Sequence, residues 1–150
     1  WGRPDMALFL FTKAILEGKP IKVFNNGNMV RDFTFIADII ESLFRLLDKP
    51  AQPNLSFNSQ SPDPSSSWCS HRIFNIGNSN PVSLLEYIKS IEEALGMDSI
   101  KEFLPMQPGD VPATAADTSA LELWTGFKPN TPLKVGVAMF IDWYRDYYEV

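Results

Sequence analysis

Residues 21–39 read IKVFNNGNMVRDFTFIADI. The β-branched and aromatic residues of IKVFN (21–25) predict a strand. Asn26-Gly27 is a turn signal. RDFTFI (31–36) alternates, with Phe33 and Phe35 on one face, and predicts a second strand. ADIIESLFRLLD (37–48) then places Ile40, Leu43, Phe44 and Leu47 at helical spacing. Within this stretch the apolar period changes from two to 3.6, the pattern of an α/β chain. A single arginine, Arg31, stands just past the glycine turn.

The same alternation of short strands and helices continues outward. MALFLFTKAILE (6–17) is apolar on most sides and predicts a largely buried helix, with Gly18 as its stop. RIFNIGN (72–78) predicts a strand. Ser83 and Glu86 have capping-box spacing, so a helix is expected over 84–95 and ends at Gly96. EFLPM (102–106) predicts a strand, and Asp117 an N-cap for TSALELW, stopped by Gly126. Thr131-Pro132 opens a last helix with Leu133, Val137, Phe140, Ile141, Tyr144 and Tyr148 along one stripe. Residues 49–70 are rich in Pro, Ser and Asn and read as a long, mobile surface loop. The strands are too few and too irregularly spaced for a complete doubly wound sheet. No glycine-rich dinucleotide loop and no Walker loop follows a strand. The expectation is part of an α/β fold, and Trp1, lying in loop-like sequence, suggests a piece of a longer chain.

Bulk properties narrow the function classes. The 150 residues carry 13 basic and 18 acidic side chains, a net charge of −5. That balance argues against broad nucleic-acid or anionic-membrane binding, while leaving room for a small anion held by local arginines. The single cysteine, Cys69, excludes an internal disulfide and fits a reducing compartment. No apolar run is long enough to span a bilayer and no signal peptide is visible. A cytoplasmic location is the expectation.

No catalytic constellation stands out. Cys69 and His71 offer two metal ligands, short of the set a stable zinc site needs, and nothing nearby would orient the imidazole for a Cys-His pair. The arginines say more. Arg3 is fixed between a glycine and a proline, and Arg31 follows a turn. A guanidinium on rigid backbone can grip phosphate or carboxylate with two parallel hydrogen bonds. A structural ion pair is the alternative for each. Asp110, in the rigid turn PGDVP (108–112), can accept from ligand hydroxyls or bond its own backbone. Asp38 suits the start of a helix dipole. Phe24 can stack on a flat ring or pack in a core.

Taken in order, WGRPDMALF, EGKPI, VFNNGNMVRDFTFIADI, FNIGNSNPVSLLEYI, LPMQPGDVPATAAD and TGFKPNTPL resemble the C-terminal half of the NAD-dependent nucleotide-sugar epimerase/dehydratase family. This is the extended short-chain dehydrogenase/reductase group. WGRPDM and MQPGDVPAT look most like its UDP-glucuronate 4-epimerases. The resemblance covers nearly the whole chain apart from 49–70.

The resemblance implies a Rossmann-type fold that is incomplete without an N-terminal NAD-binding part. It implies that residues 1–150 are the UDP-sugar-binding region, with Arg31 on the diphosphate, Phe24 near the base and Arg3 beside the sugar carboxylate. Asp110 would lie near the ribose. Gln107 stands where relatives often carry a further phosphate-binding arginine, and Ala115 where many carry an aromatic residue. In the family, NAD removes and returns a hydride at C4 of the sugar while a Tyr-x-x-x-Lys tyrosine takes the hydroxyl proton. No Tyr-x-x-x-Lys occurs among Tyr87, Tyr144, Tyr147 and Tyr148. The chain alone is therefore expected to be inactive and weakly folded, with helix 6–17 losing part of its cover. The full-length protein is expected to be a homodimer that converts UDP-glucuronate to UDP-galacturonate. The alternatives are another nucleotide-sugar epimerase, a dehydratase or decarboxylase, or a non-catalytic remnant.

Overall fold

The computed structural model describes residues 5–150. In chain order the elements are α1 (Ala7–Leu16), β1 (Ile21–Val23), a 3-10 turn (Phe24–Gly27), β2 (Val30–Arg31), α2 (Ile36–Leu47), β3 (Val82–Ser83), α3 (Leu84–Leu95), β4 (Lys101–Phe103), α4 (Ser119–Thr125) and α5 (Leu133–Tyr148). They form two compact units. The first comprises the stretch ending at Phe33, Pro81–Thr114 and Thr131–Val150; the second comprises Thr34–Asn80 and Ala115–Asn130.

The first unit holds the apolar core. β1 and β4 run parallel, with Ile21 opposite Lys101 and Val23 opposite Phe103. Ile21 and Val23 point from β1 into a cluster with Phe11 and Ile15 of α1, Tyr87, Ile88, Ile91 and Leu95 of α3, and Val137 and Ile141 of α5. Burying each of these aliphatic side chains stabilises the fold by about 1.5–3 kcal/mol. α3 forms as its sequence predicts: Ser83 Oγ accepts from the Glu86 N–H at 3.1 Å, and Gly96 closes the helix at φ +69°. α1 keeps Phe11, Thr12 and Ile15 buried, and Phe9 meets Phe140 edge-on at 4.9 Å. Leu10 and the N-cap residue Met6 are exposed, and Leu8, Phe9 and Leu16 are half-buried. α5 begins one residue later than predicted, since the Pro132 carbonyl accepts the first helical hydrogen bonds. Tyr148 leaves the predicted buried stripe; it is exposed, although its ring lies 4.5 Å from that of Tyr144.

The predicted strand over 31–36 is cut to Val30–Arg31. The chain leaves the ladder at Asp32, Phe33 stacks on Tyr87 at 4.0 Å, and Phe35 becomes the N-cap residue of α2. The strand predicted over 72–78 does not form. Arg72 makes an isolated bridge with Ser66, and 73–78 carry no ladder. A strand needs a continuous ladder; here the Ile73 N–H donates to the Ser65 carbonyl at 3.0 Å, and the pairing stops there.

In the second unit α2 and α4 are joined by reciprocal bonds. Lys49 Nζ donates to the Trp124 carbonyl at 3.0 Å, and Trp124 Nε1 donates to the Lys49 carbonyl at 2.9 Å. Residues 49–70 contain side-chain turns at Asn54, Asn58 and Asp63, and Asn54 Nδ2 donates to the buried Ser66 Oγ. α4 starts at Ser119, where Asp117 Oδ1 accepts from both the Ser119 N–H and its hydroxyl. α2 turns its polar stripe inward: Asp38 and Ser42 are buried. Its apolar stripe faces out, with Ile36, Ile40, Leu43, Phe44 and Leu47 exposed from 49% to 77%. Five large apolar residues along one helix face make a patch of the kind that drives association. We expect a Phe44→Lys, Leu47→Lys chain to show much weaker fluorescence of the dye ANS, with stability changed by no more than about 0.5 kcal/mol. Unchanged dye binding contradicts an outward-facing stripe.

Glu92 ties the end of α3 to β4. Burial acts to raise its carboxyl, but hydrogen bonds from Lys101 and Ser99 outweigh this and hold it below the usual value. The lowered group contributes stability above its unfolded value of about 4.3, and that contribution disappears as pH falls through the lowered folded value. Melting temperature should therefore fall between pH 6 and pH 3, and fall less steeply in Glu92→Gln. Parallel slopes for the two proteins contradict this.

Candidate anion-binding site

The site grows from the ends of the parallel pair. β1 and β4 both stop at the same edge, and backbone bonds from Leu104 N–H to Val23 O (2.9 Å) and Asn26 N–H to Leu104 O (3.0 Å) carry the pairing slightly further. The loops beyond the carboxyl ends of parallel strands are where open α/β sheets present ligand groups. Phe24, half-buried, opens the turn after β1. Asn25 and Asn26 both take the left-handed conformation, at φ 50° and 51°. Asparagine tolerates that region better than most residues, and Asn25 Nδ2 reinforces it by donating to the Asn28 carbonyl at 2.7 Å. Gly27 follows at φ +82° against α3; a Cβ there would lie 2.9 Å from Leu85 Cδ2.

The turn delivers the chain into β2, which pairs antiparallel with β3: Val30 faces Ser83 and Arg31 faces Val82. A third segment joins on the other side of Val30. The Val30 N–H donates to the Pro112 carbonyl at 2.8 Å, and the Thr114 N–H donates to the Val30 carbonyl at 3.1 Å. This fixes the PGDVP turn beside Arg31. Arg31 NH2 donates to Asp110 Oδ1 at 2.9 Å, and its NH1 donates to the Val30 carbonyl at 2.9 Å. Asp110 Oδ1 also accepts from the Val111 N–H at 2.8 Å. Gly109, at φ +83°, and the Asp110 N–H bond to the Gln107 carbonyl shape the turn.

Arg31 and Asp110 are thus brought together, each about a quarter to a third exposed. A pair so close to water contributes little stability by itself, so its significance lies in geometry. The guanidinium is held at NH1 and NH2, while its Nε makes no hydrogen bond among the described residues. Gln107 lies at the start of the same turn, with its side chain exposed. Arg3 falls outside the described residues. Cys69 and His71 are both exposed in the second unit. An open cavity of about 510 Å³ on α3 and β4, lined by Leu85, Glu92, Met97, Lys101 and Phe103, includes neither Arg31 nor Asp110. Its central charges already neutralise each other, since Lys101 pairs with Glu92.

In the sequence, Arg31 and Asp110 stand as separate candidates with no partner indicated for either. The pairing spans 79 positions, and no local pattern carries such a contact. The self-bond of Asp110 to its own backbone was legible from the turn, and it coexists with the ion pair. The arrangement has no acid–base pair. It offers a fixed cation beside an aromatic-led turn, which suits recognition of an anionic group. Tyr87 is stacked under Phe33 and its hydroxyl is pushed up by burial, away from any role as a base near neutral pH.

Comparison with known proteins agrees with this reading of the fold. The model of the NAD dependent epimerase/dehydratase family matches residues 2–77. Protein CapI of Staphylococcus aureus is 49% identical over 149 residues, covering 99% of this chain and 45% of that protein. UDP-glucuronate 4-epimerase 4 of Arabidopsis thaliana is 39% identical over 152 residues, covering 99% of this chain and 34% of that protein. Among solved structures, a mutant UDP-glucuronic acid 4-epimerase from Bacillus cereus, in complex with UDP-4-deoxy-4-fluoro-glucuronic acid and NAD, superimposes with a TM-score of 0.78 at 29% identity. That match covers 97% of this chain and 41% of the other. The chain thus spans less than half the length of these relatives, and its elements are those of a Rossmann-like extended short-chain dehydrogenase/reductase fold. The matched family model covers half of the sequence, including the turn and arginine from which the site is built, and the chain belongs to the NAD dependent epimerase/dehydratase family.

Proposed function

We propose that residues 1–150 are the UDP-sugar-binding region of an NAD-dependent UDP-glucuronate 4-epimerase. The observation that carries this reading is Arg31, fixed by its own strand and by Asp110 at the carboxyl edge of the parallel pair. A diphosphate presents two negative charges and several oxygens to which a guanidinium fork is matched. Phe24 would lie along the base, Gln107 near the phosphates and Arg3 at the sugar carboxylate. Relatives named as UDP-glucuronate 4-epimerases support the substrate. A UDP-glucose 4-epimerase and a dTDP-glucose 4,6-dehydratase also superimpose, at 20% and 19% identity, and those likenesses speak for the fold alone.

The residues present do not fit a dinucleotide. No glycine-rich strand-to-helix loop occurs in this chain, and no Tyr-x-x-x-Lys. We place the cofactor and the catalytic base on the part of a family member that lies beyond these 150 residues. That part would also cover the outward apolar stripe of α2 and pair with 72–78. The role of this chain is then to bind and orient the nucleotide sugar. The full protein would be a cytoplasmic homodimer acting on a UDP-sugar, with no nucleic-acid partner. No helix among the described residues is long and apolar enough to cross a membrane.

Three outcomes are expected. Residues 1–150 mixed with NAD and UDP-glucuronate should form no UDP-galacturonate above a protein-free control; turnover contradicts the division of labour. UDP should bind weakly, with a Kd of about 1 mM in an incomplete pocket, about −4 kcal/mol. Arg31→Ala should weaken that binding about tenfold, as expected for a charge-assisted contact. Equal UDP affinity in the two proteins removes Arg31 from the site.

A further inference from the structure

We propose that the outer edge of β4, with the face of α3 beside it, is a docking groove for an extended segment of a partner protein that alternates apolar and basic residues. The sheet formed by β1 and β4 has two strands among the described residues. The Ile21 N–H donates to the Ile100 carbonyl at 2.8 Å, and the Leu104 N–H donates to the Val23 carbonyl at 2.9 Å. Successive backbone groups of a strand point alternately to its two sides, so those of Lys101 and Phe103 point away from β1. Among the described residues no other segment bonds to them. Lys101 lies opposite Ile21 and Phe103 opposite Val23, so their side chains share the sheet face that α3 covers. Between that face and α3 lies the cavity of about 510 Å³. A third strand, bonded to Lys101 and Phe103, would occupy it, which is the strand-addition mode of peptide recognition.

Charge selects the occupant. Side chains of an added strand alternate between its two faces. On the cavity face they meet Leu85, Met97 and Phe103, which are 40% to 51% exposed. Lys101 on that face is already paired with Glu92, so apolar residues fit there. On the opposite face the strand lies beside Glu102. This carboxylate is exposed and forms no ion pair among the described residues, even with Lys22 across from it on β1. A lysine or arginine directly across from Glu102 makes a favourable cross-strand pair, and an acidic residue an unfavourable one. A second copy of this chain fits less well, because full antiparallel pairing of two β4 strands sets Glu102 against its own counterpart. Two charged residues in a three-residue strand also guard the edge against indiscriminate pairing.

The test follows backbone amide exchange by NMR in the 150-residue chain while a short peptide is added. The probes are acetyl-Thr-Val-Lys-Val-Thr-amide and acetyl-Thr-Val-Glu-Val-Thr-amide. At saturation the lysine peptide should slow exchange of the Lys101 and Phe103 amides about fivefold, as new strand hydrogen bonds do, and leave the amide of Glu102, which faces β1, unchanged. The glutamate peptide should bind about fivefold more weakly, the scale of a cross-strand charge pair. Glu102→Lys, a change at an exposed side chain, should reverse that preference. Unmoved Lys101 and Phe103 amides overturn the proposal. Equal affinities of wild type for the two peptides overturn it as well, and so does a preference that survives in Glu102→Lys. Slow exchange of both amides before any peptide is added also overturns it: in favour of a second copy if it grows with protein concentration, and of an edge covered within the chain if it does not. Failure here leaves the reading of Arg31 untouched, because the groove does not include that residue.

Discussion

Val30 gives its backbone N–H to Pro112 and its carbonyl to Thr114, and the geometry of the candidate site follows from those two bonds. Its other flank is already paired with β3, so β2 is a two-residue strand held on both sides. Such a short strand has no stability of its own. It exists because a left-handed turn before it and α3 beside it leave the chain little choice of direction. The Asn25–Gly27 turn is pressed against Leu85, the second residue of α3, and the Leu84 N–H donates to the Met29 carbonyl at 2.8 Å. Arg31 is thereby aimed by backbone constraints that reach into the apolar core through Tyr87, Ile88 and Ile91.

The two units differ in how they satisfy their apolar residues. The first unit encloses Ile15, Ile21, Val23, Ile88, Ile91 and Ile141 almost completely. The second turns the apolar side of α2 outward and buries Asp38 and Ser42, with Ser42 Oγ donating to the Asp38 carbonyl at 2.7 Å. A helix with a wide apolar stripe normally faces it toward a core. Here the stripe is not covered by the second unit's own elements. The relatives carry more than half their length beyond the region matched by this chain. An uncovered stripe and an unladdered segment at 72–78 are what a region built to pack against more polypeptide would show.

Much of the fold was legible because its signals are local. The Ser83 cap, the Gly18, Gly96 and Gly126 stops and the apolar period of α3 each act within a few residues, and each is realised. What failed was non-local. RDFTFI alternates like a strand, but alternation cannot supply a ladder partner, and the chain turns off at Asp32. RIFNIGN reads as a strand for the same reason, and among the described residues it forms an isolated bridge at Arg72 and no ladder. The helical spacing of Ile40, Leu43, Phe44 and Leu47 correctly gave a helix, but periodicity cannot say whether a stripe faces inward. At the site, Arg31 was legible from its place after a glycine turn and Asp110 from its rigid turn. Their partnership was not, because it depends on which segment docks along Val30.

The central claim is that Arg31 is held in place to receive an anionic diphosphate. The most direct measurement is the Nε–Hε NMR signal of Arg31 in the labelled chain, assigned by its loss in an Arg31 variant and followed on addition of UDP. The account predicts that the signal shifts and that its Hε exchanges more slowly with water when UDP is added, and that uridine leaves it unchanged. An Arg31 signal indifferent to UDP, while resonances elsewhere in the chain respond, would contradict the account.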